Sequence, residues 1–242
     1  MADGDVVRFR PQRPAPPETR QQGLEHRLKS LFGSAVITVS AFPGQHFFLE
    51  GDPASGIHIV RRGSVILYSI TEAGGRHIQQ IARAGDCFAV DFSHPHRLNA
   101  QALTEAETWH LPRRAVSLAV DSEPEARNFV FNLMDQQLRA ARFKSELLSS
   151  RSAIQKCAAF LLTIEQPAGA GGEAPLTPIA LKRVDIADYL GLTLETVSRM
   201  FNRLKKEGLI ELPRHDAFRV ADRARMNALA RDLQPGEFAL AS

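Results

Sequence analysis

The sequence predicts an α+β protein: an N-terminal antiparallel β-roll of jelly-roll type, a long helix, and a C-terminal winged helix-turn-helix. Three observations carry this. Short β-rich segments punctuated by glycine turns fill residues 34–118. A helical pattern with an unusually wide apolar face follows. A short helix, a glycine and a second helix with a polar face then occupy 183–207. The expected organisation is a flexible basic arm over 1–24, the β-roll over 25–120, a helix suited to dimerisation over 121–150, the winged helix-turn-helix over 151–232 and a tail over 233–242.

Residues 1–24 are rich in proline and arginine (Arg8, Arg10, Pro11, Arg13, Pro14, Pro16, Pro17) and lack apolar periodicity, as a solvated arm does. A short helix is expected over Glu25–Gly33. Strands are expected at Ala35–Val39, Gln45–Leu49, Gly56–Arg61, Ser64–Ile70, Arg76–Ile81, Cys87–Val90, Asn99–Leu103 and Glu107–His110. Between them stand Pro43-Gly44, Gly51-Asp52, Arg62-Gly63, Gly74-Gly75 and Gly85-Asp86, pairs that supply the backbone freedom tight turns need. Many short strands at this spacing argue for a sandwich or jelly roll.

For the long helix, Ser122 and Glu125 stand at capping-box spacing, with Pro124 in the first turn. Phe131, Met134, Leu138, Ala141 and Leu148 form one apolar stripe; Phe129, Leu133, Ala140, Phe143 and Leu147 form a second beside it. Two stripes exceed what one contact requires, so one is expected on the β-roll and the other on a partner helix. A further helix is expected over Ser152–Gln166, followed by a glycine-rich loop from Pro167 to Gly172.

Composition narrows the function classes. The chain has 242 residues, 44% hydrophobic and 24% charged, with a formal net charge of +3. That supports packed cores and permits an anionic partner without demanding one. Cys87 and Cys157 are far apart, which excludes a disulfide framework and a cysteine-held iron–sulfur cluster. Both sit in apolar stretches and read as core residues, as does Trp109. No apolar run is long enough to span a membrane, and the opening Met-Ala-Asp-Gly-Asp is not a secretory leader. A cytoplasmic location is therefore expected.

The chemistry lies in RVDIADYLGLTLETVSRMFNRLKKE, from Arg183 to Glu207. Ile186, Ala187 and Leu190 face inward on the first helix, Gly191 turns the chain, and Thr193 can cap the second helix. On that helix Val197, Phe201 and Leu204 face one side; Glu195, Ser198, Arg199 and Asn202 face the other. This is the pattern of a DNA-reading helix-turn-helix. Arg199 can fork onto guanine O6 and N7, Glu195 can accept from the cytosine amino group, and Ser198 can serve base or phosphate. Arg183, Thr193, Thr196, Asn202, Arg203 and Lys205 are candidates for the DNA backbone, with Lys206 beside them. Ile210–Leu212, a turn at Pro213–Asp216, and Phe218–Val220 read as the wing.

The segment DIADYLGLTLETVSR resembles the reader of the CRP/FNR superfamily, and especially its FNR/FixK branch. There, Glu-x-x-Ser-Arg reads a TTGAT-type half-site in a two-fold palindrome; here those positions are Glu195, Ser198 and Arg199. The resemblance extends to Gly44, Gly51-Asp52, Gly63 and Gly85-Asp86 and to the long helix, covering roughly 35–230. It implies a homodimeric transcription regulator, an activator rather than an enzyme, with double-stranded DNA and RNA polymerase as partners and a cyclic-nucleotide-binding-like β-roll.

Two departures matter. Where the family's cyclic-nucleotide cassette has Gly-Glu and Arg-Ser, this chain has Ala89-Val90 and His96-Arg97, so the ribose-holding glutamate is missing. Residues 1–34 carry no cysteine, so the oxygen-labile cluster of FNR is not expected. No cofactor or metal site is expected, and no small-molecule effector is assigned. His46, His58, His77, His94, His96 and His110 in the β-roll leave haem or nitric oxide sensing as an alternative, and Arg97 leaves gating by an unidentified small anion as another form of it. A cupin-like metalloenzyme is a remoter one, because no His-x-His with a following glutamate stands at ligand spacing.

Overall fold

A computed structural model describes residues 17–72, 74–90, 95–149, 152–166 and 174–230. The first sixteen residues of the expected arm, His94, the Pro167–Gly172 loop and the C-terminal tail lie outside them. Helix α1 (Pro17–Phe32) leads through a single 3-10 turn (Gly33–Ala35) into eight strands: β1 (Ile37–Ala41), β2 (His46–Phe48), β3 (Gly56–Arg62), β4 (Ser64–Ile70), β5 (Arg76–Arg83), β6 (Cys87–Phe88), β7 (Asn99–Ala102) and β8 (Ala106–Pro112). They form two antiparallel sheets, ordered β1-β8-β3-β6 and β2-β7-β4-β5. Phe48, Val60, Val65, Leu67, Phe88, Ala100 and Ala102 are buried together between the sheets. Gly63 shows why the turns are glycine. At φ +79° a Cβ there would stand 2.2 Å from the Glu105 carbonyl oxygen.

Several rings stack within the roll. His58 stacks on Phe88 at 5.0 Å between centroids, and Phe48 on His96 at 3.5 Å. His58 and His110 face each other across β3 and β8 at 4.5 Å. Trp109 is buried, as read from the sequence.

Three helices differ from expectation. α1 begins at Pro17, eight residues before the helix expected at Glu25, so residues 17–24 are not part of an arm. Pro17 is tolerated at a helix start, while the first turns are polar and give no periodicity; Leu28 and Phe32, further on, anchor α1 in the core. A helix not anticipated, α2 (Arg113–Ser122), follows β8 and buries Val116 and Ala119. Its presence removes the expected capping box. Ser122 ends α2, its hydroxyl donating to the Leu118 carbonyl at 2.8 Å, and the long helix α3 (Pro124–Ser149) starts afresh after Glu123. The capping box falls instead at Ser152, whose backbone N–H donates to Gln155 Oε1 at 3.2 Å, opening α4 (Ala153–Ile164).

The two stripes of α3 separate as periodicity requires. Phe129 and Leu133 are fully buried against α1, α2 and Trp109, whereas Phe143 and Leu147 enter a different cluster, shared with the C-terminal domain; Ala140 is half-buried. One stripe thus packs on both halves of the protomer. Gln136 adds a polar tie to the roll: its amide oxygen accepts from Cys87 N–H and its amide nitrogen donates to the Gly85 carbonyl, both at 3.2 Å. Gln137 donates to the Cys87 carbonyl.

After α4, strand β9 (Thr177–Pro178) precedes helices α5 (Arg183–Leu190) and α6 (Leu194–Lys206). Strands β10 (Ile210–Arg214) and β11 (Ala217–Val220) and helix α7 (Arg223–Leu229) complete the chain. β10-β11-β9 form a small antiparallel sheet. This domain does not stand apart from the roll. α5 lies along β5, Asp188 Oδ2 accepts from Ile78 N–H at 2.9 Å, and Arg83 donates to the Glu165 carbonyl at 3.1 Å. Ile66, Tyr68, Ile78 and Ile81 of the roll share one apolar cluster with Phe160, Ile186, Phe201 and Phe218. Both cysteines are buried, and burial pushes each thiol up to about 12, which makes them core residues rather than nucleophiles.

Candidate nucleic-acid interface

The turn between α5 and α6 is built by two residues. Gly191 adopts the left-handed conformation (φ 61°, ψ 44°) that ends α5. Thr193 then caps α6: its Oγ1 accepts from Thr196 N–H at 3.2 Å, and the two hydroxyls lie 3.0 Å apart. Two lysines hold this region from behind. Lys156 donates to the carbonyls of Leu148 and Leu190 at 3.0 and 3.3 Å, joining the ends of α3 and α5. Lys144 donates to the Tyr189 carbonyl and lies 3.6 Å from the Tyr189 ring centroid; burial lowers its amine to about 8.

α6 is strongly amphipathic. Val197, Met200, Phe201 and Leu204 are buried, Met200 being a core position not expected from the sequence. On the opposite side Glu195, Arg199 and Asn202 are exposed and Ser198 is half-buried. Glu195 and Arg199 stand at i,i+4 spacing but are not paired with each other. Among the described residues neither has an ion-pair or hydrogen-bond partner. Arg203 does: its Nε lies 2.7 Å from Glu207 Oε1. Arg203, Lys205 and Lys206 crowd the last turn, where cations complement the helix dipole.

Beside α6 the wing encloses a cleft of about 260 Å³, lined by Arg183, Ser198, Phe201, Asn202, Lys205, Leu212, Arg214 and His215. The structure therefore brings Arg183, Ser198, Asn202 and Lys205 together. It leaves Glu195 and Arg199 on the open face and Thr193 and Thr196 at the helix start. Arg214 and His215 were missed, because Pro213–Asp216 read only as a turn; a turn carrying two basic side chains was the available signal. Of the dimer-face residues, Phe131 is 60% exposed, Leu138 49%, Met134 43% and Leu148 39%, and Ala141 is exposed too.

Comparison with known proteins agrees with this geometry. Residues 155–229 match the Crp-like helix-turn-helix domain and residues 38–122 the cyclic nucleotide-binding domain. The nitrogen fixation regulation protein FixK of Bradyrhizobium diazoefficiens is 34% identical over 188 residues, 77% of this chain and 79% of that protein. The chain belongs to the CRP/FNR family of transcription regulators. Electron transport regulator A of Shewanella oneidensis is 33% identical over 70% of this chain and 69% of its own length. The solved structure of FixK2 from Bradyrhizobium japonicum superposes with a TM-score of 0.71 at 27% identity, covering 86% of this chain and 99% of that one. This CRP/FNR protein is thus a helix-turn-helix DNA-binding regulator, related to regulators and not to enzymes.

Of the positions compared with the family's cyclic-nucleotide cassette, Ala89, Val90, His96 and Arg97 are described. Ala89 takes the left-handed φ of 59° at the cassette turn, Val90 packs on the helical core, and neither offers a carboxylate to a ribose. His96 is buried against Phe48. Among the described residues His46 Nε2 lies 2.9 Å from the Tyr68 hydroxyl and His77 Nδ1 lies 3.6 Å from Asp188. Among the described residues no three His, Cys, Asp or Glu side chains form a metal-holding group, and no helix is long and apolar enough to cross a membrane.

Proposed function

We propose that this regulator binds a TTGAT-type inverted repeat as a homodimer and activates transcription through contact with RNA polymerase in the cytoplasm. The recognition face of α6 carries the reading. Glu195 and Arg199 are held on one exposed side of a capped helix with no partner among the described residues. In this reading Arg199 forks onto guanine O6 and N7, Glu195 accepts from the cytosine amino group, and Ser198 completes the half-site. Thr193, Thr196, Asn202, Arg203 and Lys205 meet phosphates, which fix register without reading sequence. The row Phe131, Met134, Leu138, Ala141 and Leu148 pairs with its copy, setting two recognition helices about 34 Å apart, one turn of DNA.

Fluorescence anisotropy of the purified protein on TTGAT-NNNN-ATCAA against a scrambled duplex, at one fixed salt concentration, tests it. Strong preference for the palindrome without added ligand is the expected result. Equal binding to both duplexes refutes the half-site, and selection from random DNA then identifies the sequence read.

A further inference from the structure

Arg183, the first residue of α5, lies where three parts of the reader meet. Its guanidinium carbon is 4.3 Å from the centroid of the Phe201 ring on α6, and its Nη2 donates to the His215 carbonyl at the wing tip at 2.8 Å. The neighbouring tip carbonyl, that of Asp216, is held by Ile179 N–H at 2.7 Å. Two successive carbonyls of the wing turn are therefore tethered, one by backbone and one by Arg183. The guanidinium is half-buried, and burial lowers its pKa from the ordinary arginine value. Arg214, one residue before the tethered carbonyl, is instead exposed; its Nε stands 3.4 Å from Asp216 Oδ1 in an open pair, a weak restraint.

A planar guanidinium can lie flat on a ring and still aim an N–H along its edge, which a lysine ammonium cannot do. We infer that Arg183 is a positioning residue that clamps the wing to the recognition helix, and that Arg214 is the wing's own cation presented to the DNA backbone at this cleft, beside Lys205 of α6. The inference rests on the reading of the cleft as DNA-facing, and it removes Arg183 from the phosphate contacts expected from the sequence.

The test has one arm without DNA and one with it. In the free protein, R183K raises amide hydrogen exchange at the wing tip (214–216) by roughly tenfold while α4 stays protected; F201L, which removes the ring and keeps an apolar side chain, does the same. Unchanged exchange at the tip in both variants overturns the clamp, whatever the protein binds. On the palindrome, R183K weakens binding roughly tenfold although its charge is kept. Adding R214A to R183K costs much less than R214A alone, since the two act through one element. If R183K instead binds like wild type while R183Q lowers the salt slope by about one, Arg183 is a direct phosphate contact and the inference fails. Loss of palindrome preference in the wild-type protein refutes the DNA reading itself and leaves the exchange arm standing.

Discussion

The β-roll and the recognition helix both gather polar side chains, and they treat them in opposite ways. In the roll, His58 and His110 are turned inward and matched: His58 Nδ1 lies 3.0 Å from Thr108 Oγ1, His110 Nε2 3.2 Å from Ser55 Oγ, and His58 stacks on Phe88. On α6, Glu195 and Arg199 project from a rigid, capped helix into solvent, without partners among the described residues. Buried polar groups that have met their partners specify a fold. Polar groups held in place and left open meet something else. In this chain the roll supports and the helix reads.

The same contrast runs along the two stripes of α3, and substitutions there give the largest effects. Phe129→Ala, on the buried stripe, is expected to cost about 3–5 kcal/mol of folding stability, measured by urea denaturation. Phe131→Asp, on the exposed stripe, should leave the denaturation midpoint of the protomer core nearly unchanged. It should convert dimer to monomer in sedimentation velocity and weaken palindrome binding roughly 100-fold. A monomeric wild-type protein would break the comparison at this point.

Arg199→Ala sharpens it on the reader. The expected loss is about 1–3 kcal/mol of discrimination at one base pair per half-site, with binding to scrambled DNA unchanged. Equal losses on both duplexes would reduce Arg199 to a backbone contact.

The smallest effect, over the window from pH 7.5 to 5.5, lies in the roll. Burial first, then the neighbouring His110 and His96, lowers His58 to about 3 from an ordinary 6.5. Between those values the unfolded chain binds a proton that the folded one does not. Stability is therefore fully present above about pH 6.5 and falls as pH drops towards 3, by about 1.4 kcal/mol per pH unit for this one group. Urea midpoints at pH 7.5 and 5.5 should show the decline in wild type and a shallower one in His58→Phe; equal slopes would place the acid sensitivity elsewhere.

Much of this architecture was legible because the relevant signals are local. Ser64–Ile70 between Gly63 and Gly74-Gly75 gave a strand with its ends, and Gly191 followed by Thr193 gave a turn and a cap. Elements that depend on tertiary contact were harder. Periodicity revealed two stripes on α3 but could not show that the buried one divides between the roll and the reader. Arg113–Ser122 was missed because it follows β8 directly, with Pro112 at its start and no side-chain cap to mark a new helix, and its ten residues bury only Val116 and Ala119. Ser122 and Glu125 satisfied a spacing rule, yet the chain reaches Ser122 already helical. Arg214 and His215 became part of the candidate interface only when the hairpin folded back beside Ser198 and Lys205.

The apolar cluster that runs from Ile66 and Ile78, through Phe143 and Leu147 on α3, into Phe201 and Phe218 has a consequence for dissection and grafting. With Asp188 receiving the Ile78 amide, the β4–β5 hairpin and the reader are expected to melt together. A fragment cut at Ser152 would expose the face of α5 that lies on β5 and lose its stability with it. A chimera that borrows this reader must carry the hairpin along.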